Sequence, residues 1–291
     1  MVEGNSGLEE PESDMTFGEL MHHRSKDYLI IYLDIMGYKD FTVRNSKEEL
    51  YASIEKAYRM LNLIKMKATK NDGSELRFST KMKMYTDNIL LYTELENDEY
   101  DMLRCSATLF TFAAFQRMII KECNLLLRGA ITHGKCVIGD YVFGEPIMWA
   151  IKAESSKAIW ARVLVSEETV KKYIAPELSN MFIPIDEQGN MFLDYLRLTL
   201  EFEKKSGKDS YRVLVDHKDD VLRIARNTFN LERFKKINTM NEAVEMLKIS
   251  QKFHLISLYH NSLCDQYGHP DVKLDVIDDV PPPLCLKIMR S

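Results

Sequence analysis

Residues 28–41 read YLIIYLDIMGYKDF, and this stretch decides the fold of the 291-residue chain. From Tyr28 to Ile35 every side chain but one is apolar or aromatic, and the run stops at Gly37. Such a short run predicts a buried central strand. The exception is Asp34. Because a bare buried carboxylate is very costly, we expect Asp34 to be paired, hydrogen-bonded or bound to a metal.

Helix and strand patterns alternate downstream of this strand. Ser46 and Glu49 form a capping box ahead of an apolar helical pattern. The pattern then predicts two strands within 76–95 around a turn at Asp87-Asn88, a helix 98–123, a strand 125–133, a loop with Gly134, Gly139 and Gly144, a helix 147–158 and a strand 159–165. This order predicts an α/β fold, an α+β sandwich whose mixed, largely antiparallel sheet is flanked by helices.

The character of the sequence divides the chain into three segments. Residues 1–26 form an acidic N-terminal stretch without the basic and apolar regions of a signal peptide, and we expect a flexible tail. Residues 27–212 hold the alternating pattern, within which the Lys/Glu-rich stretch 201–208 is expected to be a solvated loop. Residues 213–291 are a helical extension in which no chemistry is evident.

Composition excludes several classes of protein. The chain has 39 Lys and Arg against 44 Asp and Glu, a net charge of −5, which disfavours binding to nucleic acid or to an anionic membrane surface. Its five cysteines include no C-x-x-C pair, which indicates reduced thiols in a cytoplasmic protein rather than a disulfide framework or a zinc site. No apolar run approaches the ~20 residues of a membrane span.

Two carboxylates lie where strands end. Asp34 closes the apolar run, and Asp87 lies at the expected hairpin tip. Carboxylates brought together from adjacent strands suit Mg²⁺ or Mn²⁺, which take one or two carboxylates together with substrate phosphates. Taken alone, Asp87 favours the other interpretation, a simple turn residue, because Asp-Asn is ordinary turn chemistry.

Five segments together resemble the successive motifs of the class III nucleotide cyclases, in both order and separation. No single segment is decisive, but five weak motifs in the right order are more specific than any one. The resemblance covers roughly residues 28–195, and its segments are YLDIMGYKDF (32–41), KMKMYTDN (81–88), LRGAITHG (127–134), GEPIMWAIKAES (144–155) and ARVLVSEET (161–169).

The resemblance implies a two-metal reaction. Asp34 and Asp87 would hold two Mn²⁺ or Mg²⁺ ions, with the Ile35 carbonyl as a further ligand. Backbone N–H groups of the turn that contains Gly37 and Tyr38 would face the triphosphate. The ribose 3′-oxygen would attack the α-phosphorus with loss of pyrophosphate.

Several positions depart from the usual pattern of that family. Met148 stands where an Asn orients the ribose, and Lys152 stands where an Arg stabilises the transition state. Lys152 supplies a point cation rather than a bidentate fork. Arg128 is as consistent with a phosphate contact as with a surface anchor. Arg162 is a weaker phosphate candidate, and His133, a possible base, is more typical of a structural role at a strand end.

These departures, together with Thr86-Asp87-Asn88 and the Arg-Gly-Ala-Ile sequence at 128–131, are similar to the bacterial pyrimidine cyclases of the Pycsar anti-phage system. That similarity implies conversion of UTP to 3′,5′-cyclic UMP, which a separate effector senses. Tyr141 replaces the residue that reads adenine and offers a stacking face, while Lys83, Thr86 and Asn88 would meet the uracil. The family also implies a head-to-tail homodimer, with Lys83 and Tyr141 completing the partner's site. The alternatives are CTP or a purine as substrate, or an inactive nucleotide-binding or scaffolding module.

Overall fold

The structure is a computed structural model that describes residues 24–38, 46–63, 67–69, 73, 75–207, 209–229 and 239–275. All but the last three residues of the expected tail 1–26 lie outside these ranges, as do the end of the extension and part of the segment that follows Tyr38.

A central sheet is built around the strand that the opening stretch predicts. This strand, β1, pairs antiparallel with β5 on one side and with β6 on the other. The order is β4-β5-β1-β6-β7, with β8 parallel to β6, and β2 and β3 form a separate pair. The expected mixed, largely antiparallel sheet is confirmed. The strands are β1 Lys26–Met36, β2 Lys67–Thr69, β3 Glu75–Arg77, β4 Lys81–Tyr85, β5 Asn88–Glu94, β6 Leu126–Ile138, β7 Val142–Phe143 and β8 Val163–Val165.

Helices connect and cover the strands. Two of them begin with a capping box, Ser46 with Glu49 and Thr239 with Glu242, and both reciprocal hydrogen bonds are present in each. The helices are α1 Lys47–Leu63, α2 Asp101–Met118, α3 Glu145–Lys157, α4 Glu167–Tyr173, α5 Pro176–Phe182, α6 Tyr195–Lys205, α7 Ser210–Thr228 and α8 Met240–Gln266. A π-helical turn, Ile119–Cys123, extends α2, and a 3₁₀ turn, Pro270–Val272, follows α8.

The two faces of β1 have different environments. Alternate residues point to opposite faces of a strand, and the odd-numbered apolar residues lie in the main core beneath α2, α6, α7 and α8. The other face is covered mainly by α3, through small apolar clusters that include Ile30 and Ile147 and, beside them, Ala130 and Ala150. Asp34 lies on this second face, at the end where the apolar cover stops. The strand therefore carries its carboxylate to the more open side of the sheet.

The main core joins the C-terminal helices to the rest of the chain. Leu214 of α7 and Phe253 of α8 belong to the same apolar cluster as Leu33 of β1 and Phe112 of α2. Helix α7 begins at Ser210, so it crosses the boundary expected after residue 212. The division of the chain into a domain 27–212 and an extension 213–291 stays a prediction.

Three local expectations were wrong. The hairpin turn is Thr86-Asp87, because Asn88 already belongs to β5, where it pairs with Asp34 of β1. Residues 201–205 are the end of α6 rather than a loop, because Lys and Glu are good helix formers. Strand β8 is confined to three residues, 163–165, instead of 159–165.

Strand β6 also runs farther than its glycines suggested, to Ile138 instead of 133. Gly134 does not end the strand. Its φ is 142°, and a Cβ there would lie 2.7 Å from Cγ of Pro146, so glycine lets α3 approach the strand closely. Within the residues that the structure describes, no helix is both long and apolar enough to cross a membrane.

Candidate active site

A polar row crosses three strands of the sheet at the end of β1. Asp34 of β1 is the register partner of Asn88 in β5 and of Arg128 in β6. Register partners on antiparallel strands point to the same face, so the three side chains form one line. The antiparallel pairing of residues far apart in the sequence thus builds a charged cluster on the open face.

The β4–β5 hairpin carries Asp87 to this row. The Ile35 amide donates to the Asp87 carbonyl (2.9 Å), which ties the hairpin tip to the end of β1. Thr86 has a φ of 54°, a left-handed conformation that is strained for a β-branched residue. Its hydroxyl donates to Asp87 Oδ1 (2.8 Å), and the Asn88 amide donates to the same oxygen (3.0 Å). These bonds orient Asp87 and leave its Oδ2 without a hydrogen bond to the described residues.

Arg128 joins the row to helix α3. Its Nε donates to Asp34 Oδ2 (2.9 Å) and lies 2.8 Å from Oε1 of the buried Glu154, while an Nη1 hydrogen bond reaches the Ala158 carbonyl (3.4 Å). The next residue, Gly129, allows this close strand contact, since a Cβ there would lie 2.0 Å from the Tyr32 carbonyl oxygen. One guanidinium therefore connects two carboxylates and the end of α3.

Burial shifts the protonation equilibria of two groups around the row. The pKa of Glu154 is raised, chiefly because burial disfavours the carboxylate, and Arg128 partly opposes this. Burial, with the nearby charges of Glu154, Asp34 and Asp87, raises the pKa of Tyr32 to about 12. Tyr32 stays a neutral donor and its hydroxyl binds Asn88 Oδ1 (2.5 Å). The row therefore gathers several acidic groups around one guanidinium.

Of the four expected base-reading residues, Thr86 and Asn88 are bonded to Asp87 of the row, whereas Lys83 and Tyr141 lie close to each other at the sheet edge. Lys83 of β4 donates to the carbonyl of Gly139, whose own amide donates to the Tyr141 carbonyl (2.9 Å). Tyr141 is 73% exposed. The edge strand β4 and the β6–β7 turn thus meet at one place, and the aromatic ring of Tyr141 is open to a partner or ligand.

The two departures on α3 are both on its exposed side. Met148 is 65% exposed and Lys152 is also exposed. Neither has a hydrogen bond from its side chain to the acidic row. Within this chain, Lys152 is therefore not joined to Asp34 or Asp87.

His133 and Arg162 have structural partners. His133 Nδ1 lies 2.9 Å from Oγ1 of Thr169, and burial lowers the pKa of its imidazole. Arg162 is buried and forms an ion pair with Asp186 (2.5 Å). Neither side chain forms a hydrogen bond or ion pair with Asp34 or Asp87 of the acidic row.

Three residues of the site were missed from the sequence. Glu154 stands inside one of the quoted segments but was not singled out, and its spacing on an α3 face shared with Ala150 could have revealed it. Tyr32 lies within the apolar and aromatic run 28–35, where its hydroxyl gave no sign of a role in the site. Lys252, on α8, acts electrostatically on Glu154 from more than ninety positions away, and no local sequence signal marks it.

Comparisons with known proteins give only weak similarities. No family model and no curated protein matches the chain. Among solved structures, the adenylyl cyclase CyaB from P. aeruginosa is 14% identical with a TM-score of 0.42, over 58% of this chain and 92% of that one. The monomeric guanylyl cyclase domain of RhoGC from Blastocladiella emersonii is 16% identical with a TM-score of 0.41, over 57% and 93%.

A bacterial light-regulated adenylyl cyclase is 11% identical with a TM-score of 0.38, over 62% of this chain and 98% of that one. These values are too low to transfer an activity.

Proposed function

We propose that this chain is a nucleotide cyclase that converts UTP to 3′,5′-cyclic UMP and pyrophosphate. The observation that carries the proposal is the convergence of Asp34, Asp87 and Arg128 at one end of the sheet's open face. Two carboxylates beside a cation, at a turn that begins with Gly37, are suited to a charged phosphate ester and its metal ions.

The donor set fits two divalent cations. Arg128 and the hairpin bonds engage one oxygen of each aspartate, Oδ2 of Asp34 and Oδ1 of Asp87, and the second oxygen of each makes no hydrogen bond to the described residues. With the Ile35 carbonyl this is a set of hard oxygen ligands for Mg²⁺ or Mn²⁺. The described residues contain no group of three or more His, Cys, Asp or Glu side chains that would hold a metal without substrate.

The chain's own residues position and neutralise the substrate. When bound, the two ions would activate the ribose 3′-oxygen and offset the phosphate charge. Arg128 holds Asp34 in place and supplies positive charge near the α-phosphate. Gly37, with a φ of 78°, turns the chain at the end of β1 so that backbone amides of Gly37 and Tyr38 face the phosphates. No protein nucleophile is needed.

We assign base recognition to Lys83 and Tyr141, contributed by the partner chain of a head-to-tail homodimer. Their proximity through Gly139 and the exposure of the Tyr141 ring support this. An aromatic face suits a one-ring base, and a lysine donates to uracil carbonyls but not to the amino group of cytosine. Thr86 and Asn88 reach the base only by giving up their bonds to Asp87.

Exposed apolar side chains support the second copy. Tyr85, Tyr141, Phe143, Met148 and Trp149 are each at least 39% exposed. In such a dimer, Lys152 would meet the phosphates of the partner's site. We further propose that cyclic UMP is a cytoplasmic signal of phage infection, sensed by a separate effector.

The test is a product assay with purified protein. The four ribonucleoside triphosphates are supplied singly and in competition with Mn²⁺ or Mg²⁺, and products are resolved by chromatography. Cyclic UMP as the main product is the expected result. Cyclic CMP would refute the role of Lys83, a purine product would refute the pyrimidine assignment, and binding without any product would identify an inactive nucleotide-binding module.

A further inference from the structure

Arg128 lies between two carboxylates that compete for one N–H group. Its Nε is 2.9 Å from Oδ2 of Asp34 and 2.8 Å from Oε1 of Glu154. The Nε atom carries a single hydrogen, and that hydrogen is donated to Asp34. The Glu154 oxygen is as close but receives no hydrogen bond. The guanidinium is therefore bonded to one carboxylate and in ionic contact with the other.

The Glu154 carboxylate occupies an unfavourable position. Its side chain is only 7% exposed, and its Oε1 has no hydrogen-bond partner among the described residues. Asp194, which is equally buried, shows the usual arrangement, since it accepts hydrogen bonds from the Tyr259 hydroxyl (2.5 Å) and the Arg197 amide (3.0 Å). A buried charged oxygen without a hydrogen bond is destabilising. Glu154 is thus an acceptor in reserve, within reach of Arg128.

A divalent ion at Asp34 would compete with Arg128 for the same carboxylate. Arg128 holds Oδ2 of Asp34, the oxygen that the ion would also attract. An aspartate that uses both oxygens for metal ions no longer accepts the Arg128 hydrogen bond at Oδ2. The ion and the guanidinium also repel each other, because both are positively charged. Metal binding therefore favours a different acceptor for the Nε hydrogen.

We propose that Arg128 transfers its Nε hydrogen bond from Asp34 to Glu154 when Asp34 binds a divalent ion. The inference rests on the metal assignment of the proposed function, and it makes Glu154 a positioning residue that acts on the metal through Arg128. Both acceptor oxygens are already within hydrogen-bond distance, so the transfer needs a change of angle rather than a long movement. The Nη1 hydrogen bond to the Ala158 carbonyl (3.4 Å) keeps the guanidinium beside α3.

The test is a double-mutant cycle on metal-dependent binding. Calorimetry measures the affinity of full-length wild type, Glu154→Gln, Arg128→Gln and the double variant for inorganic triphosphate, as its Mn²⁺ complex and, in EDTA, without metal. Without Glu154, the ion must displace Arg128 from Asp34 with no acceptor to receive it. We expect Glu154→Gln to bind the Mn²⁺ complex about tenfold to a hundredfold more weakly, with no loss for the metal-free anion.

The second substitution distinguishes the transfer from a simple effect of charge. Arg128→Gln should restore binding of the Mn²⁺ complex in the Glu154→Gln background, because it removes the competitor for Asp34. The same substitution in the wild-type background should not raise the affinity. Loss of the Glu154 charge would by itself favour a polyanion, so electrostatic repulsion predicts tighter rather than weaker binding in Glu154→Gln.

Two further variants serve as control and as a substitute. Glu145→Gln removes an exposed carboxylate from the first turn of the same helix and should bind as wild type does. Thermal unfolding shows whether each variant keeps the fold. If Glu154→Gln does not fold, Glu154→Asp, with and without Arg128→Gln, gives the same cycle, since its carboxylate keeps the charge but is one methylene shorter.

Four results would overturn the transfer. They are equal affinity of Glu154→Gln and wild type for the Mn²⁺ complex, the same effect of Arg128→Gln in both backgrounds, no binding of the complex by wild type, and binding that Asp34→Asn leaves unchanged. The outcome is independent of the cyclase assay. The expected cycle in a chain that forms no cyclic nucleotide would keep the transfer and reject the catalysis, whereas an active cyclase without the cycle would reject the transfer alone.

Discussion

The two faces of strand β1 differ in what they tolerate. Leu29, Ile31, Leu33 and Ile35 are each at most 4% exposed and pack in the main core. On the other face, Tyr32 bonds to the Asn88 amide, Asp34 pairs with Arg128, and both residues are partly exposed. The apolar face provides stability without chemistry, while the polar face gives up some stability to hold charges together. Substitutions one residue apart should therefore separate folding from activity.

The largest effect is expected at Asp34. Asp34→Asn keeps the shape of the side chain and an acceptor for Arg128 but removes the negative charge that would hold a metal ion. Cyclase turnover should fall on the order of 10³-fold or more, with the fold retained. Asp27→Asn is the control, because Asp27 lies in the same strand and its side chain is hydrogen-bonded only to the exposed Asn97 amide among the described residues. Near-wild-type turnover of Asp34→Asn with Mn²⁺ would reject the two-metal assignment.

Substitution of the neighbouring residue, Leu33, should lower stability and leave the activity of the folded protein unchanged. Leu33 is fully buried, and Leu33→Ala leaves a cavity that lowers the free energy of unfolding by about 2–5 kcal/mol. Urea denaturation measures this loss, and turnover per folded molecule should not change. Leu33→Met conserves volume and should cost less than about 1.5 kcal/mol. A stable Leu33→Ala protein with lost activity would show that the two faces are not independent.

The core side also carries a pair of neutral histidines. His217 and His260 stack with Nδ1 atoms 3.1 Å apart, and the Tyr195 hydroxyl lies 2.8 Å from His217 Nε2. Burial lowers the pKa of His217 well below its ordinary value and that of His260 to about 4. Because the unfolded chain binds protons first, stability is complete above about pH 6.5 and falls as the pH drops toward 4.

At pH 5, His260 alone should account for about 2 kcal/mol of this loss. Urea denaturation at pH 7 and pH 5 measures it, and His260→Gln should reduce the difference between the two pH values. His254→Gln, at an exposed position on the same helix, should leave it unchanged. An identical pH dependence in wild type and His260→Gln would contradict the neutral, buried pair.

The smallest expected effect is a partial recovery of activity in mixed dimers, which tests whether each active site contains residues of both chains. An Asp34→Asn chain and a Lys83→Ala/Tyr141→Ala chain should each be inactive alone. Equal mixing gives half mixed dimers, each with one intact site, so about a quarter of wild-type turnover should return. No recovery after subunit exchange, verified by mass spectrometry of the mixed dimer, would count against shared sites.

The sequence predicts the local part of this arrangement well. Strand β1, the capping box of α1 and helices α2 and α3 follow from periodicity and caps within a few residues. The sequence pattern ends strand β6 at residue 133, because a glycine taken alone indicates a break. In the structure, Gly134 instead lets Pro146 approach the strand closely. A glycine's role depends on what approaches it, which the local pattern does not contain.

The site divides in the same way. Asp34 and Asp87 are marked by their positions at strand ends, but the row with Arg128 depends on register between strands almost a hundred residues apart. Glu154 and Lys252 come from helices that only tertiary packing brings to the row. Contacts between residues far apart in the sequence produce no local spacing pattern, so the sequence alone could not predict these partners.

The position of Lys83 on an outer strand, with its hydrogen bond to the Gly139 carbonyl, has a consequence for aggregation. An outer strand exposes unpaired N–H and C=O groups that a foreign strand can join. Strand β4 is short, carries Lys81 and Lys83, and is tied by Lys83 to the turn before β7. Short length and positive charge both discourage edge-to-edge association. Variants of Lys83 made to change nucleotide selectivity are therefore expected to be less soluble as well.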